Sequence, residues 1–123
     1  FAQEAKDIPL QVSVSQLPRM GIQSQTRVEV RIDAAPLALE LKDGVRTGQL
    51  EVRVYCGDAK QNVMGDAGQH YDLTADEATY QQWLRGGILK IIRVPTEALP
   101  QYVKVVVYDY GSDRIGSAMI KIK

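Results

Sequence analysis

Between Arg27 and Asp33 the chain changes character at every step: Val28, Val30 and Ile32 are apolar, while Arg27, Glu29, Arg31 and Asp33 are charged. Successive side chains of an extended chain point to opposite sides, so this run predicts a strand with one face in a core and the other in water. Upstream, Leu10, Val12 and Val14 alternate with Gln11, Ser13 and Ser15 in the same way. The mixed residues 1–7 read as a linker leading into a single domain over 8–123, and Pro18, Gly21 and Ser24 mark a turn-rich stretch between the two runs.

The same period continues downstream. Pro36 breaks the second run, and Leu37, Leu39 and Leu41 resume the alternation before a Lys42-Asp43-Gly44 turn. Leu50, Val52, Val54 and Cys56 alternate cleanly, and 57–62 then reads as a hairpin connection into Val63 and Met64. Residues 88–94 form a dense apolar strand that Pro95 is expected to end. Residues 102–108 carry valines on one face and Tyr102 and Tyr108 on the other, as expected of a central strand covered on both sides. Residues 110–113 read as a turn into a closing strand, where Ala118, Ile120 and Ile122 alternate with Met119, Lys121 and Lys123.

One segment departs from this rhythm. Thr74-Ala75-Asp76-Glu77 has the spacing of a capping box, in which a hydroxyl and a carboxylate satisfy reciprocal backbone donors at a helix start. Tyr80, Trp83 and Leu84 follow at offsets of three and four, and Gly86-Gly87 supplies a stop. The pattern therefore predicts an all-β, immunoglobulin-like antiparallel sandwich of seven or eight strands with one short helix near 75–85, an incomplete barrel being the alternative.

Charge and composition remove several classes of function. Fifteen basic residues balance fifteen acidic ones, interspersed along the strands, so no basic field attracts nucleic acid. No apolar run approaches the roughly 18 residues that a membrane-crossing helix needs. Cys56 is the single cysteine, which excludes an internal disulfide and multi-cysteine zinc sites, and its place in an apolar run reads as a small buried hydrophobe. A start at Phe1 reads as a processed or excised piece.

His70 is the only histidine, so every nucleophilic triad and every histidine-based metal site depends on it. Asp58 with Asp66, and Asp109 with Asp113, are the acidic groupings that calcium would use, but their spacing is wrong for an EF-hand and aspartate's preference for turns explains 109–113 more simply. No catalytic residue, metal or cofactor is expected. The candidate binding surface consists of Tyr55, Trp83, Tyr108 and Tyr110, aromatic side chains able to stack on a peptide or a sugar; Trp83 on the helix also reads as a lid over the sandwich.

Several segments together resemble the C-terminal β-sandwich of bacterial von Willebrand factor A-related exported proteins. They are Ile8-Pro9-Leu10-Gln11-Val12, Leu50-Glu51-Val52-Arg53-Val54, Tyr71-Asp72-Leu73-Thr74, Gly86, and Val103-Lys104-Val105-Val106-Val107-Tyr108-Asp109 with Gly111-Ser112-Asp113-Arg114-Ile115-Gly116-Ser117-Ala118. The Asp-x-Ser-x-Ser adhesion motif of the A domain is absent, so the resemblance implies a domain beside the adhesive one and carries over no active residue. It implies a secreted or cell-envelope location. The function expected is that of a noncatalytic accessory domain that contacts a protein partner or spaces a neighbouring domain of the same parent chain. A carbohydrate-binding module using exposed aromatics is the alternative.

Overall fold

A computed structural model describes residues 6–20, 23–96 and 98–122. They form eight strands and one helix: β1 (Leu10–Met20), β2 (Gln23–Ile32), β3 (Glu40–Lys42), β4 (Val45–Gly57), β5 (Val63–Ala75), α1 (Glu77–Gly86), β6 (Ile88–Thr96), β7 (Tyr102–Asp109) and β8 (Arg114–Lys121). All pairings are antiparallel, and the strands divide into a three-stranded sheet, β1-β2-β6, and a five-stranded one. In the larger sheet β5 runs along one side of β4, while β3 and then β7 share the other, with β8 beyond β7. The chain is an all-β sandwich, as its alternation predicts.

That alternation fixes what each sheet buries. Val28, Val30 and Ile32 of β2, with Ile92 and Val94 of β6, face Leu50, Val52, Val54 and Cys56 of β4 and Val103, Val105 and Val107 of β7 across the core. One polar pair lies within this apolar layer, the hydroxyls of Thr26 and Thr96, 2.7 Å apart, so neither enters the interior without a partner.

The helix forms where expected but starts differently. Thr74 belongs to β5, opposite Thr47, because β5 continues until the buried Leu73 and Ala75 have packed inward. Asp76 is therefore the N-cap in place of Thr74, its carboxylate accepting from the Thr79 amide at 2.8 Å. That bond holds the Asp76 carboxyl below the usual carboxylate range. Gly87 ends the helix at φ +80°, its amide donating to the Trp83 carbonyl. Arg46 pairs with Glu77 and lies 3.9 Å from the Tyr80 ring centroid, and Arg31 donates to the Gly86 carbonyl, so cations from both sheets hold α1 across one end of the sandwich.

Three other expectations need correction. Pro18 and Ser24 lie in strands, since β1 continues to Met20, with a register shift between Leu17 and Met20, and β2 starts at Gln23; Gly21 lies outside the described residues. Pro95 does not end β6, which runs to Thr96 with Pro95 opposite Gln25; β6 is an edge strand, where a missing amide is tolerated. β7 is central, but no described element lies over its outer face, and Tyr102, Lys104, Val106 and Tyr108 are only half-buried among their neighbours. Residues 1–5 of the expected linker lie outside the described residues, and Lys6 already bridges to Gly116.

Candidate functional site

Strand register carries the outward-facing side chains of the large sheet into rows. One row reads Asp66, Tyr55, Lys104, Met119; the next Gly68, Arg53, Val106, Ser117; the third His70, Glu51, Tyr108, Ile115. Tyr102 lies opposite Gly57 at one end, and at the other the Tyr110 amide donates to the Gln49 carbonyl. Eight residue steps of β4 separate these ends, so the tyrosines span roughly 27 Å of sheet at about 3.4 Å per residue. Three of the expected residues, Tyr55, Tyr108 and Tyr110, thus share one face. Trp83 does not join them: it sits on α1, partly buried against the core.

The rings are held in fixed relations. Tyr108 and Tyr110 meet edge to face with centroids 4.9 Å apart and planes at 84°, and His70 lies 5.5 Å from Tyr110 at 56°. The Tyr108 hydroxyl donates to Asp113, which holds its phenol above the ordinary tyrosine range. His70 Nε2 lies 3.3 Å from the Asp72 carboxylate. Tyr110 and Ile115 are 46% and 42% exposed, a large apolar contribution for a face that no described element covers.

The face is shallow. A hollow bounded by Tyr55, Tyr102, Lys104 and Met119 encloses about 10 Å³, about the space of a single water molecule. At the Tyr110 end, where β3 and β7 leave a gap along β4, an open groove of about 420 Å³ is lined by Glu40, Thr47, Gln49, Asp72, Thr74 and Tyr110. Tyr102, Val106, Ile115 and Met119 also belong to the face, although sequence reasoning did not select them. Period-two parity along 102–108 already set Tyr102 beside Tyr108 and extends to Val106; Ile115 and Met119 needed the β7–β8 register.

The residues considered for chemistry are apart or already occupied. Cys56 is fully buried on the core side of β4, whereas His70 projects from the outer side of β5. Burial, with a smaller contribution from the Asp66 charge, pushes the Cys56 thiol up to about 11, leaving it protonated at neutral pH. Cys56 is accordingly expected to resist iodoacetamide in the native protein and to react only once the chain unfolds, as mass spectrometry across a denaturant series would read; labelling of the native protein at the rate of a free thiol would contradict its burial. The Asp109 carboxylate is buried and accepts from the Ala38 amide (2.8 Å), the Ser112 hydroxyl (2.7 Å) and the Gly111 amide (3.2 Å). Asp58 likewise accepts from the Lys60 and Asn62 amides within its own loop. Among the described residues no three His, Cys, Asp or Glu side chains converge as metal ligands, and no helix is long and apolar enough to cross a membrane.

Compared with known proteins, the chain matches no family model and no curated protein sequence.

Proposed function

We propose that this domain is a noncatalytic interaction module whose binding surface is the tyrosine-bearing outer face of the five-stranded sheet. One observation carries the reading: Tyr55, Tyr102, Tyr108 and Tyr110, with Val106, Ile115 and Met119 between them, lie on one exposed, shallow face. Tyrosines provide large, rigid contact area and a polar tip, and protein interfaces are enriched in them. The shape matches a protein partner better than a small ligand, which needs concave enclosure. The resemblance to the accessory sandwich of exported bacterial von Willebrand factor A-related proteins supports the same role, with a secreted or envelope location and a neighbouring domain or separate protein as partner.

A glycan is the second reading, favoured by the polar groove beside Tyr110. Against it, the closest ring pair is perpendicular rather than coplanar, so it offers a sugar no flat two-ring platform.

Site-specific photo-cross-linking in an extract of the source cell distinguishes the two. A cross-linker at position 106 or 115 is expected to give discrete protein adducts that are lost on Tyr110→Ala, while position 27 or 93, on the outer face of the other sheet, gives none. Adducts from the other sheet alone would overturn the reading. Glycan-array binding that Tyr110→Ala abolishes would replace it with the carbohydrate one.

A further inference from the structure

A sheet edge presents unpaired backbone groups, and folded proteins protect their edges with proline, lysine, bulges or inward charges. Apart from β3, whose three residues are too few to template an added strand, the described residues give this sandwich four edge strands: β1 and β6 in the small sheet, β5 and β8 in the large one. Three are protected. β1 carries Pro18 and a register shift, and β6 carries Pro95 together with Lys90, which turns toward the interior with its ammonium 4.4 Å from the Tyr71 ring centroid. β8 is met by the incoming segment, through Lys6 bridging Gly116 and the Ile8 carbonyl packed against that glycine.

β5 carries a register shift only at its start, between Val63 and Gly65, and from Asp66 onward has none of these devices. Its thirteen residues include no proline, lysine or arginine, and among the described residues it pairs with β4 alone. Within 66–72 the side chains of Asp66, Gln69, His70 and Asp72 are exposed, as is Gly68. The Gln69 side-chain amide folds back to the His70 carbonyl at 3.4 Å, a long bond that an incoming backbone amide could replace.

We propose that the 66–72 stretch of β5 is a strand-addition site for an extended, basic segment of a protein partner; this rests on the interaction-module reading and names the partner's chemistry. Main-chain pairing along an edge supplies affinity, and alternate side chains supply specificity. On the outer side the edge shows Asp66 and Asp72 at either end, with Glu51 in the next strand, while the Arg53 guanidinium lies over Gly68 between them, 3.7 Å from Glu51. Opposite charges stabilise when they face each other across strands, so lysine or arginine suits the partner positions on that side. On the inner side Ala67 and Tyr71 suit small or apolar residues, giving an alternating basic and apolar segment. A second copy of this chain fits poorly, because pairing two β5 strands brings four carboxylates to one seam. The added strand would widen the tyrosine face next to His70 and Tyr110.

The probe is an end-capped eight-residue peptide alternating lysine with valine or threonine, compared with its glutamate counterpart and followed by residue-resolved amide exchange on the whole chain. The lysine peptide is expected to slow exchange within 66–72 and to bind at least tenfold more tightly than the glutamate peptide. Asp66→Lys/Asp72→Lys, with an unchanged melting temperature, should weaken it at least tenfold. No slowing within 66–72, equal binding of both peptides, or indifference to the double substitution would overturn the inference. The cross-linking experiment separates the two claims: adducts from position 106 that persist in the double variant leave the tyrosine face standing and remove the edge, whereas an absence of adducts removes the face reading itself.

Discussion

Replacing Asp109 with alanine is expected to destabilise the domain by about 3–4 kcal/mol, because three part-buried hydrogen bonds are lost and each bond to a charged group contributes at least about 1 kcal/mol. The carboxylate holds the Ala38 amide, in the connection that crosses from β2 to β3, together with Gly111 and Ser112 of the β7–β8 turn. Removing it frees three part-buried donors and unties the crossover from the turn. For a chain of this size the melting temperature should fall by roughly 12–16 °C, taking about 4 °C per kcal/mol. Ser112→Ala, which removes one of the three donors, should lose about 1 kcal/mol. Thermal melting followed by circular dichroism checks both, and an Asp109→Ala protein melting within 2 °C of the wild type would contradict the role given to this carboxylate.

The second large effect belongs to Gly116. A methyl group there would lie 2.2 Å from the Ile8 carbonyl oxygen and 2.7 Å from the Ile8 Cβ, contacts that require the incoming segment to move. Ile8 is only 1% exposed, so moving it opens the core between β1 and β8. Gly116→Ala is expected to destabilise by about 2–3 kcal/mol, within the range of overpacked interiors, and to raise amide exchange in residues 6–10 more than in β4. The companion Gly86→Ala, where no atom lies within 4 Å of the added methyl, should be nearly neutral. Equal melting of Gly116→Ala and wild type would show that the segment does not dock as described.

These two residues also mark how far the amino-acid pattern could be read. Apolar alternation gave the strands of the core directly, because a residue such as Val52 or Val105 is buried for the same reason that its neighbours alternate with it. It could not say which strands neighbour each other, and so could not bring Tyr55 of β4 to the same face as Ile115 and Met119 of β8. Asp109 read as a turn aspartate or a calcium ligand because its partners include Ala38, 71 residues away, a distance no local motif spans. Thr74 fitted a capping box in spacing, but sheet pairing extended β5 past it and left the cap to Asp76. Pro18 and Pro95 read as breaks because their edge positions, which tolerate proline, are set by topology.

Hydroxyl-radical footprinting tests the central claim most directly, comparing the purified domain with the same chain in an extract of its source cell. The account predicts that oxidation of Tyr102, Tyr108 and Tyr110 falls several-fold in the extract, while Leu89 and Ile91 on the outer face of the small sheet are oxidised as before. Equal oxidation of the tyrosines in both settings, or protection confined to Leu89 and Ile91, would contradict it.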